Sequence, residues 1–263
     1  MPGPDFAPLV RSVEREMVSA LALSPLPIDP ALSRAEGVWR DAPATIETRA
    51  YAGDALRYAR FVTLVGNGLE IGNVLCLGAA ETALPIFGAD LVARLAPGEN
   101  ARWLTMLAAD LSPTHSDVAT SDRQLAGLGG RLAPLREALP PAGELPEWCA
   151  RWFSPHAIFS RPRPDRLAAV GAAVREMAAA FVLLAKDVSA EVARGGASPE
   201  MARHVVMVQD EYAAAHRADD RGLTLLARIF GTGWAGRYVE RVLFPDSSIA
   251  GIARRRPPPT SPR

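Results

Sequence analysis

Apolar positions along the chain follow two periods, one near the helical repeat and one of two residues. Leu9, Val13, Met17, Ala20 and Leu21 recur at helical spacing, which predicts an amphipathic helix over residues 8–23. The proline-rich stretch 24–30 ends it, because proline lacks the amide that a continuing helix needs. From 45 to 65 the pattern changes. Tyr51, Tyr58, Phe61, Val62 and Val65 are β-formers, interrupted near Gly53 and Asp54 as in a hairpin. Gly66, Asn67 and Gly68 mark a tight turn, and a third strand is predicted over 69–77. Segments 83–94 and 102–111 continue the series across short connections. Successive strands with no helix between them predict an antiparallel meander.

The second half reads as helical. Residues 121–139 predict a helix closed by Pro140 and Pro141, and 152–161 one more extended piece. The alanine-rich segment 166–194 has an apolar face through Val170, Val174, Met177, Phe181 and Leu184. Ser198-Pro199-Glu200 puts proline at the first position of another helix, expected to run to about 217. Two short helices are expected in 222–244, separated near 231–233. The fold class is α+β, as one domain over 1–250 with a disordered tail at 251–263.

Composition narrows the function classes. Among 263 residues, 29 cations balance 29 anions, which removes the bulk electrostatic drive of a general nucleic-acid binder. Cys76 and Cys149 are too few for a disulfide framework and lack metal-type spacing, so a reducing, cytoplasmic setting is expected. Residues 1–6 lack a basic start, and charges interrupt every apolar run before the roughly 18 residues a membrane span needs. No membrane association is expected. The neutrality is an average over unlike halves: residues 1–150 hold 12 cations and 18 anions, whereas 151–263 hold 17 and 11. Lys186 is the only lysine, so any anion site must use guanidinium groups.

Common catalytic signatures are missing: no phosphate-binding GxxxxGK[ST], GxGxxG after a strand, HExxH or GxSxG occurs. His115, His156, His204 and His216 are too scattered to suggest a metal set, and each reads as a surface or capping histidine. The informative residues are polar groups within strands, Asn73 in LEIGNVLCL and Asp90 in PIFGADLV. Burying a carboxylate is expensive unless it is paired or kept protonated, so Asp90 alone reads first as an edge or solvent-facing residue and only second as a functional one. Asp219 and Asp220, before a helix, would satisfy free amides as caps. From the residues alone the reading stops at an α+β domain.

Four motifs in one order carry it further. VGNGLEIGN at 65–73, LPIFGADLV at 84–92, FSPHAIFSR at 153–161 and the closing pattern Phe230, Gly231, Trp234, Arg237, Tyr238, Arg241, Leu243, Phe244 together resemble the ferredoxin-dependent bilin reductases. The resemblance implies a three-layer α/β/α sandwich around a central antiparallel sheet. It also implies no cofactor bound by the protein itself, with reduced ferredoxin as external electron donor and biliverdin or dihydrobiliverdin as substrate. A heme oxygenase, and a phytochrome or phycobiliprotein acceptor, are implied as further partners. The basic half of the chain would suit an acidic ferredoxin.

The same resemblance assigns residue roles. Asp90 matches a sheet-borne proton donor and Asp220 a second one on the helical side. Arg161 and Arg221 match contacts to the pigment's propionates, although each alone reads equally as a surface arginine in an ion pair. Asn73 stands where the phycocyanobilin-forming branch has a histidine, and Phe61 where it has a glutamate. Asn73 looks like the phycoerythrobilin and phytochromobilin branches, and Phe61 puts reduction of the outer D-ring vinyl group in doubt. Reduction at the 15,16 methine bridge, the A-ring diene system or both is the expected chemistry. A non-catalytic bilin carrier on the same fold is the competing reading, and a helical interaction protein with chance motif matches a third.

Overall fold

A computed structural model describes residues 4–96, 103–115, 117–145, 147–192, 198–218 and 220–247. The chain opens with α1 (Ala7–Ala20), which buries Val10, Val13 and Met17 on one stripe. A two-residue strand β1 (Ser24–Pro25) and the turn α2 (Pro30–Ser33), capped by Asp29, lead into β2 (Arg34–Trp39). Strands β3 (Ala42–Ala52), β4 (Leu56–Gly66), β5 (Leu69–Gly78), β6 (Ile86–Leu95) and β7 (Trp103–Ser112) follow. From β3 to β7 each strand pairs antiparallel with the one before it, and β1 also pairs with β3. Helix α3 (Val118–Ala138) and the turn α4 (Glu147–Ala150) precede β8 (Ile158–Ser160), which pairs with β7. Helices α5 (Leu167–Val192), α6 (Pro199–Ala218), α7 (Asp220–Phe230) and α8 (Thr232–Tyr238) complete the molecule, α8 continuing into a π-helical turn, Val239–Leu243.

The result is a three-layer sandwich around an eight-stranded sheet. Helices α1, α3 and α5 share one core with Phe61, Val74, Phe87 and Leu91 of the strands. Helices α7 and α8 pack on the opposite face against Ile46, Val62 and Leu64. By length and composition Leu167–Val188 of α5 could cross a membrane, but it is the helix whose Val170, Val174, Met177 and Phe181 fill the first core. The β4–β5 turn forms at Asn67-Gly68 as expected. Gly68 has φ +68°, and a Cβ there would stand 2.9 Å from that of Leu95.

Three expectations need correction. Strand β2 was not foreseen, because its turn into β3 uses Arg40 and Asp41 at φ 49° and 58°. That left-handed turn is usually signalled by glycine or asparagine. Segment 152–161 is a strand only at Ile158–Ser160, since Ser154 turns inward to hydrogen-bond Asp110. The tail 251–263 lies outside the described residues.

Candidate active site

Strand alternation decides which residues can meet. Phe61, Val74 and Ala89 point to α1 and α5, so Val62, Asn73 and Asp90 point the other way. Register then lines up Thr48, Val62, Asn73, Asp90, Ala108 and Phe159 as successive partners across β3 to β8. Between this row and the helices lies a cavity of about 380 Å³, within the range of small-molecule sites. Its floor is apolar, with Ile46, Leu64, Ile71, Val92 and Met106 beside the row. Its roof is Leu223 and Leu226 of α7, with Tyr238, Val239, Leu243 and Phe244 around the π-helical turn.

The roof is tied to the sheet at two points and to α2 at a third. Tyr238 Oη and Thr48 Oγ1 are 2.6 Å apart, the Tyr58 hydroxyl donates to the Val242 carbonyl at 2.7 Å, and Trp234 Nε1 donates to the Ala31 carbonyl at 2.7 Å. Helix α7 also lies directly on β2, where a Cβ at Gly37 would stand 2.3 Å from the Ile229 carbonyl oxygen. Position 37 therefore accepts only glycine.

Asp90 sits at the centre of the floor. Asn73 Nδ2 donates to its Oδ1. Lining the cavity leaves Asp90 some accessible surface, yet burial by the protein around it pushes its carboxyl above the usual carboxylate range. The Asn73 hydrogen bond and the charges of Arg60 and His216 oppose that shift without cancelling it. A carboxyl held protonated beyond its ordinary range can act as an acid nearer neutral pH.

Of the residues singled out in the sequence, Asn73, Asp90 and Arg161 meet at this cavity, Arg161 as an exposed side chain just after β8. Asp220 opens α7, and Arg221 follows it; their side chains lie outside the described residues, while the next two residues, Gly222 and Leu223, line the cavity. Phe61 does not belong to the site. It faces the opposite core, edge-on to Tyr51 at 6.0 Å, so it bears on packing and not on the cavity. From β4 the cavity instead receives Val62 and Leu64, neither of them acidic.

His216 was missed. It is buried, lines the cavity, and stacks on Tyr212 at 3.9 Å. Its Nδ1 lies 2.9 Å from the Tyr212 carbonyl, an acceptor, so Nδ1 carries the hydrogen. The signal was the stripe Val205, Gln209, Tyr212, His216 on the buried face of α6, which a histidine taken singly does not reveal.

The family described as ferredoxin-dependent bilin reductase matches residues 10–245. The chain belongs to that family. This bilin reductase is therefore an oxidoreductase that acts on linear tetrapyrroles. It is 31% identical over 244 residues to the phycocyanobilin:ferredoxin oxidoreductase of Synechococcus elongatus, covering 90% of this chain and 92% of the relative. It is 27% identical over 246 residues to the phycoerythrobilin:ferredoxin oxidoreductase of Gloeobacter violaceus, covering 91% and 94%. Phytochromobilin synthase from tomato, solved in complex with biliverdin, shares the fold with a TM-score of 0.79 and 19% identity, over 94% of this chain and 85% of that one. The identities to the phycocyanobilin and phycoerythrobilin enzymes are too close to select a branch.

Proposed function

We propose that this bilin reductase converts biliverdin or 15,16-dihydrobiliverdin to a phycoerythrobilin-type product in the cytoplasm, with reduced ferredoxin as donor. Each double bond reduced takes two electrons, supplied singly by ferredoxin, and two protons. Asp90 gives a proton to the reduced pigment from the floor of the cavity, and Asp220 gives one from the helical side. Each is reprotonated from solvent. Asn73 has no proton to give, so it orients Asp90 and the pigment by hydrogen bonding. Arg161 and Arg221 hold the two propionates, for which planar guanidinium groups are suited.

The observation that carries this reading is Asp90 itself, a carboxyl hydrogen-bonded by Asn73 at the centre of an apolar cavity. The biliverdin in the tomato homologue and the names of the curated relatives support the substrate class. The test is anaerobic turnover of biliverdin with ferredoxin, its reductase and NADPH, followed by chromatography of the pigment. A phycoerythrobilin-type product is expected. A phycocyanobilin product would overturn the regiochemistry, and pigment bound but never reduced would make the protein a carrier.

A further inference from the structure

Arg60 lies on β4, one cavity-facing position along from Val62, and pairs with Ala50 on one side and Leu75 on the other. It is completely buried, and among the described residues its Nε, Nη1 and Nη2 all lack a hydrogen-bond partner. The buried charges of Glu14, Asp110 and Arg57 each have at least one side-chain or backbone partner, although Arg49 Nη2 and both Nη atoms of Arg57 also lack a hydrogen bond. Glu14 accepts from Arg49 Nε at 2.6 Å and from the Tyr51 hydroxyl at 2.7 Å. Asp110 accepts from Ser112, and from the amide and hydroxyl of Ser154. Arg57, also buried, donates through Nε to Gln209. A buried guanidinium without an acceptor is strongly destabilising, so its persistence needs a reason.

The surroundings supply one. The Cζ of Arg60 stands 5.9 Å from the centre of the Phe244 ring, a cation–π contact, and Phe244 lines the cavity. Arg60 acts electrostatically on Asp90 and Tyr238, two more cavity residues. Across the sheet its row runs through Leu75, Gly88 and Asp110, on one side of the Asn73–Asp90 row. Arg161 follows Ser160, the partner of Leu107, and so flanks that row on the other side. The two arginines thus bracket Asp90, Arg161 exposed on the cavity and Arg60 enclosed just behind the part of its lining that Phe244 forms.

We propose that Arg60 recognises the pigment directly, its guanidinium donating a hydrogen bond to the carbonyl oxygen of a terminal lactam ring. A neutral lactam oxygen that displaces the Phe244 ring suits this dry, enclosed guanidinium, whereas a propionate, which needs several donors or water, belongs at the exposed arginine. The inference rests on the bilin reading above.

The test titrates the purified protein with biliverdin and with biliverdin dimethyl ester by visible absorption, for wild type, Arg60→Met and Arg60→Gln, and records thermal melting without pigment. Both variants should melt at or above the wild-type temperature, because an unpaired buried charge has been removed. Both should bind biliverdin and the ester roughly tenfold more weakly or worse, the loss expected for a charge-assisted hydrogen bond. Equal affinity in wild type and variants would overturn the proposal. So would a loss confined to the free diacid, which would make Arg60 a propionate contact. Failure of both variants to fold would show a structural role instead. Absence of any pigment band with wild type would bring down the bilin reading itself, which the other outcomes leave standing.

Discussion

The two faces of the sheet differ most at the cavity, where polar groups are left without partners beside others that are satisfied. On the face covered by α1 and α5, the buried carboxylate of Glu14 is held by Arg49 and Tyr51 beside a core of packed hydrocarbon. On the face covered by α7 and α8, Asn73 Oδ1 has no partner among the described residues, Arg60 has none on any nitrogen, and Asp90 looks into open space. The same strands build both. Alternation lets β4 give Phe61 to stability and Val62 and Leu64 to the cavity, so one face can be closed in the free protein while the other stays open.

That contrast can be tested at several strengths. Asp90→Asn should lower turnover by roughly two to four orders of magnitude, the range for loss of a positioned acid, without changing biliverdin titration. A fully active variant would remove the chemistry from the cavity face. Phe61→Ala, on the packed face, should cost about 3–5 kcal/mol in urea unfolding. Ile71→Ala, at a half-buried position in the cavity, should cost well under half as much, and comparable losses would erase the distinction between the faces. Glu14→Gln should cost about 1–3 kcal/mol by weakening a satisfied buried cluster. Arg60→Met should cost nothing, which separates an answered buried charge from an unanswered one.

The smallest effect is a pH dependence. Burial raises the Asp90 carboxyl in the folded state above its unfolded value, so the folded protein loses stability as pH rises through that raised value. Asp90→Asn removes this loss. Its melting temperature should exceed that of wild type at neutral pH, and the difference should vanish below about pH 3, where both states of the wild-type carboxyl are protonated. Parallel curves at all pH values would show that Asp90 titrates normally.

The meander from β3 to β7 was legible because β-branched and aromatic runs alternate between turn residues, and Asn67-Gly68 marks its clearest turn. β2 was not legible, since Arg34 and Glu36 break its apolar pattern and its turn is built from residues that rarely take positive φ. Asn73, Asp90 and Arg161 could be read through the motifs around them. Phe61 was placed wrongly because adjacent strand residues face opposite sides, so an offset of one position exchanges core for cavity. Arg60 and His216 gave no local signal. What they face depends on strand register and on where α6, α7 and the π-helical turn settle, and neither is written in a short stretch of sequence.

Gly37 sets a dimension that no side chain in the cavity controls. With a Cβ only 2.3 Å from the Ile229 carbonyl oxygen, any larger residue would lift α7 off β2 and carry Leu223 and Leu226 away from the floor. The height of the cavity, and so whether a flat pigment is gripped or merely housed, is fixed by an absent methyl group on an edge strand. Clearance could thus change in a relative through one remote position, with every residue around the pigment left as it is.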